Sequence, residues 1–442
     1  MQIQLSDHFD FKRLFRFVLP SIVMMIFTSI YGVVDGFFVS NSVGKTAFAA
    51  VNLIMPALMI FGALGFMLGT GGSALVAKTL GEGKLEKANR IFSFLVYVAL
   101  VTGTVLAVIG IIFMRPIAVL LGAEGEMIEL CVIYARIILA ALPGFMLQNM
   151  FQSFLITAEK PTLGLVVTVV AGVTNMILDA LFMAVFQWGI AGAAIATGIS
   201  QMLGGIIPFL FFCRKNSSLL RLVKTKCEWK ALLRTCTNGS SELVSNISLS
   251  LVSILYNYQL LRFAGEDGLA AYGVLMYVSF IFVAIFIGYS IGTAPIIGFN
   301  YGAQNEEELN NIFKKSMRFI VVMGVTLSVT AVLIAGPASE LFVGYDRNLC
   351  EMTVRSFRLS AASFFFSGFC FFGSSMFTAL NNGIVSATIS FARTLVFQIL
   401  TILVMPEIWG IDGIWYAIAA AEVLASMVAI AYIFGKRKEY RY

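Results

Sequence analysis

Charge is what this sequence has least of. Only 12% of its 442 residues are Asp, Glu, Lys or Arg, about half the share that keeps a folded surface in water. A soluble domain is thereby excluded. Histidine is scarcer still: His8 stands alone, ahead of the first apolar run. A membrane-embedded histidine base, histidine metal ligand or H-E-x-x-H helix is therefore excluded. The six cysteines (Cys131, Cys213, Cys227, Cys236, Cys350, Cys370) form no C-x-x-C pair, so neither zinc nor a disulfide framework is expected. No G-x-x-x-x-G-K-[ST] stretch occurs, which removes the usual route to ATP hydrolysis.

What is present is lipid-soluble mass: 59% hydrophobic residues, including 40 Phe and 20 Met. At about 20 apolar residues per span, the apolar runs predict an all-α polytopic membrane protein. Twelve helices are expected, at about 15–39, 47–76, 91–114, 127–156, 162–186, 190–213, 237–262, 268–298, 316–337, 353–380, 384–405 and 412–434. The first run is too long for a signal-peptide core and lacks a cleavage pattern. Twelve spans put both termini on one side, which then carries 22 of the 30 basic residues. By the positive-inside rule that side is cytoplasmic. The expected location is a plasma membrane, multi-pass, with both termini inside. The net charge of +6 then reflects loops facing anionic lipid and calls for no nucleic-acid partner.

The chain repeats itself at a spacing of 221 residues. Residues 43–92 align without a gap on 264–313 with 13 of 50 positions identical, among them Gly44/Gly265, Gly81/Gly302 and Asn89/Asn310. The same phase returns in Thr157-Ala158 against Thr378-Ala379, and in Trp188-Gly-Ile-x-Gly192 against Trp409-Gly-Ile-x-Gly413. Two six-helix lobes are implied, residues 1–213 and 237–442, joined by a basic linker at 214–236. Six is even, so both copies cross in the same sense, related by an axis along the membrane normal. Two such bundles facing one another across a cleft suit alternating access.

An ionisable group inside lipid costs at least about 2.5–3.5 kcal/mol and points to function by default. Asp35 lies near the end of helix 1; its alternative reading is an acid at the lipid interface. Asn175 and Asp179, four apart in helix 5, share a helix face. Their oxygens suit a hard cation or a proton. Thr197 in helix 6 falls in a small-residue stretch that permits close helix approach; interhelical glue is the alternative for this set. Adding 221 to Asp35, Asn175, Asp179 and Thr197 gives Tyr256, Val396, Leu400 and Ile418. The second copy therefore lacks the constellation, which favours a coupling site over a packing role. Glu242 falls in the first turn of the expected helix 7, where an acid also serves the helix dipole. Glu242, Arg393 and Glu422 are candidates for a polar site in the second lobe, where Arg393 of helix 11 and Glu422 of helix 12 face either each other or the cavity, and Arg136 is either a cavity cation or a snorkelling one. Pro20 either bends helix 1 or belongs to its first turn. Met25, Gln148, Asn149, Gln152, Gln201 and Tyr256 are candidate positions for a soft, aromatic substrate cleft.

The chain resembles the multidrug and toxic compound extrusion (MATE) family, nearer its MepA-like and DinF-like bacterial branch than the NorM type. The resemblance rests on Pro20 with Gly-Val-Val-Asp35-Gly-Phe-Phe-Val-Ser, Gly71-Gly-Ser-Ala, Asn175-x-x-x-Asp179, Trp188-Gly-Ile-x-Gly-Ala-Ala-x-Ala-Thr197 and Pro295-Ile-Ile-Gly-Phe-Asn-Tyr-Gly-Ala303. It implies a monomer that exports cationic or amphipathic drugs in exchange for Na+ or H+, with no cofactor and no catalytic residues. It also implies a cation or proton site at Asp35, Asn175, Asp179 and Thr197, with transported Na+ at the first three, and a bend of helix 1 at Pro20. The NorM type has further acids in the middle of helices 7 and 10. Here helix 10 has none past its start and helix 7 only Glu242, so coupling is expected in the first lobe. Two rivals make distinct demands: a lipid-linked oligosaccharide flippase needs a cleft rich in Arg and Lys, and a membrane enzyme needs a catalytic cluster.

Overall fold

The structure, a computed structural model, describes residues 3–42 and 45–442 and, of these, every side chain except those of residues 33, 36–42, 45, 48 and 266. Gly44, one member of the Gly44/Gly265 match, lies outside the described residues. Those described form helices and short connections, with no strand among them.

Twelve helical passes result. They are α1 (Phe11–Ser42), α2 (Lys45–Gly81), α3 (Leu85–Leu120), α4 (Glu126–Ala140 with Leu142–Thr157), α5 (Pro161–Asp179, continued by a π-turn Ala180–Val185) and α6 (Gly189–Cys213). Then follow α7 (229–264), α8 (Asp267–Gly302), α9 (Glu306–Val343), α10 (Arg347–Ser360 with Ala362–Ala379), α11 (Gly383–Trp409) and α12 (Ile411–Gly435). Ten are long and apolar enough to span, and the two segments of α4, bent by 56°, make an eleventh. The twelfth, α7, is too polar for that test, since it carries Asn238, Ser240, Ser241, Glu242, Ser245 and Asn246. It is separated from α8 by Gly265, the one non-helical residue (φ 62°, ψ −147°) in an otherwise continuous trace, Trp229–Gly302.

Several helices run past the expected bounds. α3 begins at Leu85, α7 at Trp229 and α9 at Glu306, each ahead of its apolar run. Hydropathy marks only the lipid-facing length, whereas the backbone ladder continues into water, without a side-chain cap at α3 and α7 and with one at α9. That cap is Asn305, accepting from the Glu308 amide. The early start of α7 leaves only 214–228 non-helical in the expected linker, and it places Glu242 thirteen residues inside the helix. The first-turn capping role for Glu242 is therefore wrong. Pro20 likewise lies in the interior of α1, not in its first turn.

The 221-residue phase is visible in the backbone. Gly83 and Gln304 both turn with positive φ (76° and 55°), as do Gly189 and Gly410 (59° and 60°). In each Trp-Gly-Ile-x-Gly turn the first glycine supplies this left-handed conformation, which side chains resist. The second glycine permits close approach: a Cβ on Gly413 would sit 2.2 Å from the Met405 carbonyl oxygen, and one on Gly192 3.0 Å from Cβ of Phe182. Gly413→Ala is expected to destabilise the protein by about 1–3 kcal/mol through overpacking, and Gly192→Ala by less. Thermal survival of the monodisperse detergent-solubilised protein reads both. The fourth pass of each half is broken at similar places, Ala141 and Ala361. At the first of these, Pro143 has no N–H to continue the ladder. The fifth pass of each half contains a π-turn, Ala180–Val185 and Ala392–Val396.

The halves meet through glycines at the end of the molecule that bears most of the basic residues. A Cβ on Gly239 of α7 would lie 2.0 Å from the Met67 carbonyl of α2, and one on Gly302 of α8 2.1 Å from that of Lys78. α1 belongs to both halves. Its first part runs antiparallel to α8, with Val18 against Gly292 and Ile22 against Gly288. Its far part turns to α5, where Gly172 leaves room for the rings of Phe27 and Tyr31.

Residues 3–10 strap this same end. Leu5 and Phe9 are fully buried; the Leu5 amide donates to Glu159 Oε1 (2.7 Å) and the Phe9 amide to Glu308 Oε1 (2.9 Å). Glu159 lies between α4 and α5 and Glu308 at the start of α9, so the strap links one half to the other. Burial raises the Glu159 carboxyl above its ordinary 4.5, partly offset by the Leu5 amide. The folded chain thus keeps this proton to higher pH than the unfolded one. The contribution of Glu159 is complete below 4.5 and declines as pH rises through the folded value. Glu159→Gln keeps the acceptor and removes the titration. Protease cleavage of the strap is therefore expected to accelerate with pH in the natural chain relative to Glu159→Gln at the same pH.

Candidate functional site

α5 starts on Pro161, whose missing N–H is harmless in a first turn, and its α-helical part ends on Asp179. Asn175 and Asp179 are both buried, Asp179 completely. The π-turn begins at the next residue. Such an inserted residue re-aims the side chains around it and recurs at functional sites. α1, drawn in over Gly172, sets the carboxyl of Asp35 beside that of Asp179, close enough for each to act directly on the other. Thr197 arrives on α6, whose Ala193, Ala194, Ala196 and Gly198 are buried and pack without bulk. Asn175 Nδ2 lies 3.5 Å from Thr197 Oγ1. The four residues singled out in the first half thus come together.

Both oxygens of Asp179 and Oδ1 of Asp35 are buried with no hydrogen-bond partner among the described residues. Carboxylates in low dielectric ordinarily carry such partners or lose their charge. Tyr134 of α4, 1% exposed, lies near enough to feel both carboxyls. Sequence reasoning missed it, because one tyrosine in an apolar helix looks like any other core aromatic.

At the corresponding place in the second half, between α7 and α11, Tyr256 donates to Gln398 Oε1 at 2.7 Å. This pair is neutral and satisfied where the first half has two unpartnered acids. Arg393, within the second π-turn, clasps Glu422 of α12: Nε lies 3.0 Å from each carboxylate oxygen. The guanidinium also stacks 3.9 Å over the Phe371 ring. Glu242 stays apart from this pair, one turn beyond the Gly239–Met67 contact. Arg136 is exposed and donates to the Ile111 carbonyl of α3.

The expected cleft residues scatter. Gln148 and Gln152 border a small crevice inside the first half, between α4, α5 and α6, with Gln148 packed on Gly204. Asn149 is buried near α2, and Met25 and Gln201 are half-buried. Tyr256 is held by Gln398. The structure does not gather these six into one pocket.

Comparison with known proteins gives two matches to one family model, MatE, at residues 20–181 and 243–404. The multidrug export protein MepA of Staphylococcus haemolyticus (strain JCSC1435) is 24% identical over 429 residues, 97% of this chain and 94% of that protein. MepA of Staphylococcus aureus (strain N315) is 24% identical over 426 residues, 96% and 93% of the two chains. Among solved structures, a multidrug resistance MATE family transporter in an outward-facing conformation superposes with TM-score 0.93 at 22% identity, covering all of this chain and 98% of the other. A MOP superfamily transporter from Pyrococcus furiosus gives 0.91, also at 22% identity, covering 98% of each.

Proposed function

From a chain that belongs to the MatE family, we propose a secondary antiporter of the plasma membrane that exports cationic or amphipathic compounds in exchange for Na+ or H+. One observation carries the coupling: Asp179, fully buried, and Asp35, half-buried, lie side by side, with three of their four oxygens buried and unpartnered among the described residues. Two adjacent carboxylates stay ionised there only with a cation between them; otherwise a proton neutralises one. Asn175, Thr197 and Tyr134 supply neutral oxygens around them, the donor set that a hard cation takes.

In this proposal the ion controls α1. When the pair is neutralised, the far part of α1 rests against α5; when it is vacated, like charges at about 4 Å repel by about 4 kcal/mol at an effective dielectric of about 20. The near part of α1 is packed along α8, so its displacement is transmitted to the second half. Pro20 lies within that near part and weakens the helix where it would bend. The export of drugs is supported by the printed function of the MepA relatives. The basic end is assigned to the cytoplasm, and the chain to a working monomer. Within the membrane-spanning helices the two expected cations do not support the flippase: Arg393 is neutralised by Glu422, and Arg136 turns to the α3 backbone.

Ethidium flux in proteoliposomes tests the reading, first under an imposed Na+ gradient at clamped pH, then under a pH gradient without Na+. One of the two gradients is expected to drive uphill flux. Flux indifferent to both would remove the antiport.

A further inference from the structure

A cavity of about 700 Å³ opens at the basic end, between α2 and α3 of one half and α7 and α11 of the other. Four cations line it: Lys78, Lys87, Lys230 and Arg234, against Glu82 and Glu228. Glu82 is already engaged by Lys84 at 2.8 Å, so the uncompensated charge of the wall is positive. Lys87, Lys230 and Arg234 make no ion pair or hydrogen bond among the described residues. The field is felt locally, for the Glu82 carboxyl is held below its ordinary value by Lys84, with Lys78 and Lys87 adding to the effect.

The cavity does not face water alone. Leu233 and Ile384 form part of its lining and are 73% and 74% exposed, and Trp229, 69% exposed, stands one turn before Leu233. Large apolar side chains this bare, with a tryptophan beside them, mark the lipid interface. Next to the cavity α2 and α7 close on one another, Gly71 against Thr235 and Gly239 against Met67. A basic recess between helices, bordered by lipid-facing apolar residues at headgroup depth, suits a ligand with an anionic head and acyl chains.

We propose that this cavity is a binding site for the phosphate headgroup of an anionic glycerophospholipid, with the acyl chains lying over Leu233 and Ile384. The head would bridge Lys78 and Lys87 of the first half and Lys230 and Arg234 of the second, so a bound lipid favours the arrangement in which the basic ends are together. The site is independent of the antiport reading.

Native mass spectrometry of the full-length, delipidated protein offered equal phosphatidylglycerol and phosphatidylcholine tests it. Phosphatidylglycerol is expected to be retained in preference. Lys230→Gln with Arg234→Gln is expected to reduce retention on the order of tenfold. Lys224→Gln with Lys226→Gln removes the same charge from the adjoining 214–228 segment outside the cavity and is expected to leave retention unchanged. Equal loss in both double variants would mean that the lipid follows overall surface charge, and would overturn the site. Inorganic phosphate binding as well as phosphatidylglycerol does would also overturn it, in favour of a free anion. Should the first double variant not fold, Lys87→Gln on the opposite wall carries the same expectation at smaller size.

Discussion

Asp179→Asn is expected to abolish gradient-driven efflux completely while leaving the protein as stable as before or more so. The two halves of this expectation come from the same observation. A buried carboxylate whose two oxygens lack partners contributes nothing to folding that an amide of equal shape cannot supply, and burying it costs of the order of 1–3 kcal/mol. What the amide cannot do is exchange a proton or hold a cation, and with a single charge left at Asp35 the repulsion proposed to move α1 disappears. Asp35→Asn is expected to act in the same way. Asn175→Ala, which removes one neutral ligand and the contact with Thr197, should weaken coupling without eliminating it. Uphill ethidium flux in proteoliposomes and thermal survival in detergent, measured on the same preparations, give both readouts. Wild-type transport by Asp35→Asn and Asp179→Asn would sink the assignment, and loss of folding in both would move these residues from coupling to structure.

The opposite pattern is expected at the second buried ionic site. Arg393→Met leaves Glu422, 5% exposed, as an uncompensated charge inside the second half. Breaking such a pair from one side costs about 3–5 kcal/mol, and the contact with the Phe371 ring is lost as well. Replacing both partners, Arg393→Met with Glu422→Leu, should restore most of that stability, because a buried pair has little net advantage over apolar residues of similar volume. The single variant is therefore expected to lose most of its thermal survival and the double to regain it. Equal instability of the two would mean that the pair does more than neutralise itself. Asp35–Asp179 and Arg393–Glu422 occupy α1–α5 and α11–α12, and only the first lacks compensation, which separates a site kept ready for a ligand from one that is closed.

Much of this was legible in the residues. Scarcity of charge identified the solvent, since a chain this apolar cannot cover itself with water. The count of twelve passes followed from apolar length, and the repeat was written at 221 residues because both halves need the same turns: Gly189 and Gly410 must adopt a conformation that side chains resist. Asp35 and Asp179 stood out because an acid in lipid has no cheap structural reason to be there, Asn175 because it shares a helix face with Asp179, and Thr197 because it falls in a small-residue stretch. Glu242 shows where that reasoning stops. Its place reads as a helix start, but the α7 backbone begins at Trp229, and no hydropathy value reports how far a helix continues into water. The six proposed cleft positions lie apart in the structure for a related reason. A glutamine in an apolar helix faces either a cleft or a neighbouring helix, and sequence periodicity does not choose the neighbour.

The sequence by itself determined the solvent, the number of passes, the repeat and the residues that hold charge inside the membrane. All of these depend on composition and on local backbone demands. Tertiary structure alone decided which charges are partnered: Arg393 has Glu422, whereas Asp35 and Asp179 have only each other. It also decided that Tyr134 overlooks both acids, that α1 is shared between the halves, and that four basic residues from distant segments ring one cavity. Partnership depends on which helix faces meet, and those faces are fixed by the packing of glycines and bulky side chains over the whole bundle.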